Sequence, residues 1–298
     1  MAARKKFQGT GTAIVTPFKK DGSLDENALR RVVDYQVKGS VEALIPLGTT
    51  GESPNLNHAE FERVFEIVQE QANGRVKIFG GAGSNSTRTA IDHAKLVKKI
   101  GLDAALIVGP YYNKPTQEGY FQHYRAIADA VDIPIIVYNV PGRTGGNIEA
   151  ATTLRMAEEI PNIIAVKEAS GNFAQIMEIA RNKPKNFSLL SGDDAVTVPL
   201  MAIGADGCIS VVANETPRDF SDMVRACLKG KWSKALELHN KLLLLMNINF
   251  IESSPIPVKA ALAMMGLIEQ VYRLPLVRIG EKNRENLRAV LAELKLVK

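Results

Sequence analysis

A lysine stands inside a run that otherwise reads as a dry β-strand: Ile163-Ile164-Ala165-Val166-Lys167-Glu168-Ala169. Alternation along a strand puts Ala165, Lys167 and Ala169 on one face, where two methyl side chains leave open space around the amine. Taking an ammonium out of water disfavours its charged form, and a neutral amine attacks a ketone to give a Schiff base. The plainer alternative is a lysine that faces outward or pairs with the adjacent Glu168. Tyr138 ends another apolar run, "PIIVYNV". On a strand about 5 Å from that of Lys167, it either anchors the core or offers its hydroxyl for proton transfer.

Further polar groups fall where other apolar runs end. "LGTTGES" carries Thr49 and Thr50 in a glycine-rich turn. Its exposed N–H groups suit a carboxylate, although threonine is also an ordinary turn residue. "VPGRTGG" presents Arg143, either solvated or a fork for a second carboxylate. Tyr111 and Tyr112 follow the fourth run, and Ser191–Asp194 closes the seventh. Asp193 and Asp194 read better as cap and turn residues than as ligands of a hard cation. His58, His93, His123 and His239 are dispersed and lack ligand spacing, so no metal or other cofactor is expected. No Ser-His-Asp or Cys-His arrangement stands out. The set describes a lysine enzyme acting on carboxylated substrates.

These groups need a scaffold that brings strand ends together. Near-continuous apolar runs start at Gly11, Val41, Val76, Ala104, Pro134, Ile163, Phe187 and Gly207. Such runs mark strands buried on both faces of a parallel sheet. Helical stripes lie between them. Phe61, Val64, Phe65 and Val68 form one, with Asn57 and Glu60 as its cap; Ala90, Ile91, Ala94 and Val97 form another, ended by Gly101. Glu118–Val131, Glu149–Ile160 and Phe173–Asn182 read the same way. Strand and helix alternate for roughly eight rounds, the signature of a (β/α)8 TIM barrel, whose reactive groups sit at the C-terminal strand ends. An open doubly wound sheet is the rival, but Gly81 and Gly83 are not followed by the rest of a dinucleotide fingerprint. From about Thr216 the strands stop and helical patterns continue near Asp219–Lys229, Ser233–Asn247, Pro257–Met265 and Glu285–Leu296. We therefore expect a barrel over residues 1–224 and a C-terminal all-helical extension over 225–298.

The bulk properties exclude several classes. The chain has 298 residues, 46% hydrophobic and 23% charged, which fits a soluble globular protein. The net charge of +5 is spread among acids, with no basic block, so no nucleic-acid partner is expected. "KLLLLMNINFI" is too short and interrupted to span a bilayer. "MAARKKFQGTG" is basic but lacks an apolar signal core, and Cys208 and Cys227 have neither disulfide nor metal spacing. A cytoplasmic protein with reduced thiols is the expectation.

The motifs "GTTGES", "PYYNKPTQEG", "YNVPGRTG", "VKEASG", "SGDD" and "PIPVKAAL" occur in this order. Over essentially its whole length the chain resembles the dihydrodipicolinate synthases, of the class I pyruvate-lyase superfamily. The resemblance implies condensation of pyruvate with L-aspartate 4-semialdehyde, on the path to diaminopimelate and lysine. By it, Lys167 forms the imine, and Tyr138, Thr49 and Tyr112 form the proton relay, with Tyr112 reaching in from a neighbouring subunit. Thr50 holds the pyruvate carboxylate, Gly192 and Ile209 line the same pocket, and Arg143 holds the aldehyde's carboxylate. The implied assembly is a homotetramer, a dimer of dimers, or a homodimer. The rival readings are a sibling aldolase, such as N-acetylneuraminate lyase or another 2-keto acid aldolase, and a non-catalytic pyruvate sensor. One departure stands out. Ser53, His58, Asn85 and Tyr111 match the family's lysine-effector cleft, but Phe61 and Thr89 replace its histidine and glutamate, and Pro54 a small residue. A degenerate cleft and weak or absent inhibition by lysine follow as expectations.

Overall fold

The computed structural model describes residues 6–298; the basic residues 1–5 read above lie outside the described residues. Strand and helix alternate as β1 (Gly9–Ala13), α1 (Glu26–Lys38), β2 (Ala43–Ile45), α2 (His58–Ala72), β3 (Lys77–Gly81), α3 (Thr87–Ile100), β4 (Ala104–Val108) and α4 (Gln117–Ala130). Then follow β5 (Ile135–Asn139), a short α5 (Pro141–Thr144), α6 (Ala150–Glu159), β6 (Ile163–Glu168), α7 (Phe173–Asn182), β7 (Ser188–Ser191), α8 (Thr197–Ala202) and β8 (Gly207–Ser210). The strands pair in parallel in sequence order, and β8 closes on β1. The barrel reading stands, and the open sheet is excluded.

Local chemistry explains the boundaries. Asn57 and Glu60 form a reciprocal capping box on α2, and Asp25, Ser86, Thr116 and Asn172 each accept a backbone N–H at the start of their helices. Gly101 ends α3 with φ 84, the left-handed conformation that glycine adopts at least cost. β1 differs from expectation: it starts at Gly9 and leaves the sheet before Pro17. Val15 N–H bonds the Asn214 side chain at 3.3 Å instead of a strand neighbour. At the other end, a Cβ on Gly207 would lie 2.0 Å from the Gly9 carbonyl oxygen, so the β1–β8 seam closes only with glycine there.

Two apolar shells hold the barrel. The inner one includes Ala13, Ala43, Ile45, Phe79, Leu106, Ile136, Tyr138, Ala165, Leu190 and Ile209, all buried. Phe7 plugs the N-terminal end, packing edge-on against Phe79 with ring centroids 5.0 Å apart. The outer shell joins strand backs to helix stripes, among them Val64, Phe65, Val68, Ala90, Ala94 and Val97. Filling the inner shell with alternating small and branched residues leaves the C-terminal strand ends as the place for polar groups.

After β8 come α9 (Pro217–Leu228), α10 (Trp232–Ile248), α11 (Ile256–Met264) and α12 (Glu281–Glu293). No strand occurs in this part among the described residues. The expected boundary at 224/225 falls inside α9, which packs on α1, β1 and α8 as well as on α10. One helix thus belongs to both the barrel wall and the helical tail. No helix of the described residues is long and apolar enough to cross a membrane.

Candidate active site

β5 and β6 set the centre. Their register pairs Tyr138 with Lys167, so both side chains enter the barrel at the same height. The Lys167 Nζ lies over the Tyr138 ring, 4.1 Å from its centroid. The contact expected with the tyrosine hydroxyl is thus made with the ring face, where the quadrupole attracts a cation. Lys167 and Tyr138 are only 6% and 7% exposed, so the amine is held in a nearly water-free place. Ala165 and Ala169 share the interior face with it, as alternation requires.

Glu168 does not pair with Lys167. It points outward, where its carboxylate accepts from Ser170 N–H at 2.8 Å, Asn139 Nδ2 at 3.1 Å and Gln175 Nε2 at 3.2 Å. Those bonds satisfy the carboxylate between β5, β6 and α7 and leave the amine without an acidic partner. The outward-facing alternative for Lys167 falls with them.

A cavity of about 40 Å³ at Lys167 is lined by Thr49, Thr50, Tyr138, Arg143 and Gly192, with Ile45, Val211 and others. Thr49 and Thr50 come from the turn after β2, and Arg143 from α5. Gly192 follows β7, where close approach demands glycine. A Cβ there would meet Ala169 Cβ at 2.6 Å and Lys167 Cε at 3.1 Å. Ile209 is buried in the inner shell beneath. Lys167 and Arg143 are the charged groups in this lining, with no acid beside them. Such a site favours carboxylated ligands.

A wider cleft of about 500 Å³ runs from Thr49, Tyr138 and Arg143 to Ser53, His58, Thr89 and Tyr111. Phe61 lies in its wall, stacked on His93 with ring centroids 4.5 Å apart, while its edge meets Phe65. Burial pulls His93 below the usual imidazole range. No carboxylate lines this cleft. Asn85 does not belong to its lining; its carbonyl accepts from Asn113 Nδ2 at 2.9 Å instead.

Tyr112 is not brought to the Lys167 of its own chain. It is 88% exposed, and its backbone has φ 71, the left-handed region that costs a non-glycine residue. Asp193 and Asp194 are structural, as read. The Asp193 carboxylate accepts from Ala195 N–H at 2.9 Å. Asp194 accepts from Val211 and Val212 N–H at 3.0 and 2.8 Å, and burial pushes its carboxyl up. No cluster of three or more metal-ligating side chains occurs among the described residues.

Among the cavity residues that the motifs did not point to, two come from outside the barrel. Phe250 and Ser254, from the segment between α10 and α11, line the Lys167 cavity. The only hint was the position of Ser254 just before "PIPVKAAL".

A family model described as the dihydrodipicolinate synthetase family matches residues 6–294. Among curated relatives, a protein named 4-hydroxy-tetrahydrodipicolinate synthase from Koribacter versatilis (strain Ellin345) is 53% identical, the match covering 98% of each chain. One of the same name from Chloroherpeton thalassium is 50% identical, over 99% of this chain and 97% of the relative. The crystal structure of dihydrodipicolinate synthase from Aquifex aeolicus superposes with a TM-score of 0.95 at 44% identity, covering 97% of this chain and 99% of that one.

Proposed function

The chain belongs to the dihydrodipicolinate synthetase family, and from that premise we propose that it is a 4-hydroxy-tetrahydrodipicolinate synthase whose Lys167 forms the imine with pyruvate. The observation that carries this assignment is the Lys167 amine, buried against Tyr138 in a cavity that holds a second cation and no acid.

Lys167 Nζ attacks the ketone carbon of pyruvate, and the carbinolamine loses water to give the imine. Thr50 and the N–H groups of its turn hold the pyruvate carboxylate beside Gly192 and Ile209. Loss of a methyl proton gives the enamine, whose terminal carbon attacks the aldehyde carbon of L-aspartate 4-semialdehyde. Arg143 holds that substrate's carboxylate through a bidentate fork. The substrate's own amine then attacks the imine carbon, closes the ring and releases Lys167. Tyr138, Thr49 and Tyr112 of the partner subunit pass the protons. The protein contributes positioning, proton transfer and charge, and the carbonyl chemistry needs no metal.

The exposure and strained backbone of Tyr112 support a site completed across a subunit interface, in a homodimer or a dimer of dimers. The helices after β8 form a C-terminal extension that supplies Phe250 and Ser254 to the cavity. The cleft containing Ser53, His58 and Tyr111 is a degenerate effector site, because Phe61 packs on His93 and no carboxylate faces a cationic ligand. The enzyme works in the cytoplasm. Parallel assays test the assignment: turnover with pyruvate and L-aspartate 4-semialdehyde, and none with N-acetylneuraminate. The reverse pattern would overturn it.

A further inference from the structure

Resting on that function, a second lysine acquires a role. Lys259, on α11, has no exposed surface, and neither has the side chain of its ion-pair partner Glu52. The two residues are 207 positions apart. Phe18 and Tyr272 surround the ammonium, their ring centroids 4.4 and 5.2 Å from Nζ. Burial pulls the amine below the usual lysine value, and Glu52 opposes that pull. Removing an ion pair from water is costly, and similar apolar residues often serve stability as well or better. The placement therefore asks for another reason.

Glu52 ends the turn that carries Thr49 and Thr50. Leu47 and Glu52 flank this turn, and both have left-handed backbones, with φ 58 and φ 53. Neither is glycine, so the turn is held in a conformation its own residues resist. Glu52 N–H bonds the Thr49 carbonyl at 3.1 Å, and Gly51 N–H bonds the Gly48 carbonyl at 3.1 Å. The Gly51 carbonyl accepts from Thr16 Oγ1 at 2.6 Å. The second Glu52 carboxylate oxygen accepts from Asn55 Nδ2 at 3.2 Å. The segment that leads into α11 also brings Ser254 to the Lys167 cavity.

We propose that Lys259 and Glu52 are positioning residues, whose buried ion pair clamps the strained turn so that Thr49 and Thr50 face the Lys167 cavity. The tail is thereby tied to the chemistry from two sides, through Ser254 and through Lys259. Neither Lys259 nor Glu52 touches substrate in this scheme.

The test uses the full chain in its native assembly. Lys259→Met alone would strand Glu52, so the principal variant is Glu52→Gln with Lys259→Met, which removes both charges together. With its melting temperature measured alongside, this variant should show a kcat about tenfold lower and a pyruvate KM about fivefold higher. A merely structural pair would not single out the threonine. In a Thr49→Val background, the same pair of substitutions should lower kcat less than about twofold further, because the hydroxyl they place is already gone. Wild-type kinetics in the folded variant, or penalties that simply multiply across the cycle, would overturn the proposal. If the variant does not fold, Asn55→Ala decides: a pyruvate KM about twofold higher supports the clamp, and an unchanged KM and kcat overturn it. Failure of the functional assignment looks different, since the wild-type chain itself would then show no turnover and no pyruvate adduct.

Discussion

Tyr138 and Lys167 are register partners on adjacent strands, and the lysine amine sits 4.1 Å from the centre of the tyrosine ring. The ring packs against the amine, while the hydroxyl is the group assigned to proton transfer in the proposed function. Tyr138→Phe separates these roles. It should keep the melting temperature within a few degrees and lower kcat by about a hundredfold or more, the usual worth of a positioned proton-transfer group. Unchanged turnover would leave the hydroxyl outside the relay.

Tyr112 has the opposite geometry, 88% exposed on a strained backbone. Tyr112→Phe should lower turnover strongly without loss of stability. Mixing it with Lys167→Ala after dissociation and reassociation tests where the tyrosine acts. An equal mixture should regain about a quarter of wild-type activity, because about half of the dimers are mixed and one of the two sites in each has both groups intact. No recovery despite proven exchange would place Tyr112 outside the partner's site.

Gly192 leaves no room for a methyl group, with Ala169 and Lys167 in the way. Gly192→Ala should therefore raise the pyruvate KM and lower kcat. Displacing the Lys167 stem costs about 1–3 kcal/mol, as overpacking usually does. A variant with wild-type constants would show that the amine has slack the geometry does not suggest.

Lysine should be a poor inhibitor. The cleft that includes Ser53 and His58 offers its ammonium groups no carboxylate, and Phe61 is committed to packing on His93. A titration should leave the rate nearly unchanged at about millimolar lysine, for lack of electrostatic complementarity. Strong inhibition below that range would contradict this.

His123 gives a pH prediction. It is 5% exposed on α4, its Nδ1 lies 2.9 Å from Thr87 Oγ1, and its Nε2 is without a partner. Burial pushes it down to about 4 from the ordinary 6.5. Below about 6.5 the unfolded chain takes up a proton that the folded chain refuses, so stability falls as pH drops toward the folded value. The loss should reach about 2 kcal/mol by pH 5, and His123→Asn should remove most of that slope. Equal slopes in both proteins would refute it.

Much of this was legible in the sequence because it is local. Apolar runs gave the strands, and Asn57 and Glu60 marked the start of α2 where the cap forms. Alternation placed Lys167 with Ala165 and Ala169 on the interior face. What escaped depends on distant partners. Lys259 reads as an ordinary helical lysine until the fold brings it to Glu52. Phe250 and Ser254 belong to a tail that no period connects to the barrel mouth. The capture of Glu168 by Asn139 and Gln175 required three elements to meet. β1 begins before its apolar run because Gly9 and Thr10 pair with Gly207 and Cys208 of β8, a partner distant in sequence.

The most direct measurement is reduction with borohydride in the presence of pyruvate, followed by peptide mass mapping. One adduct per chain is expected on the peptide containing Lys167, and neither adduct nor turnover in Lys167→Ala. An adduct at another lysine, or catalysis that survives loss of this amine, would contradict it.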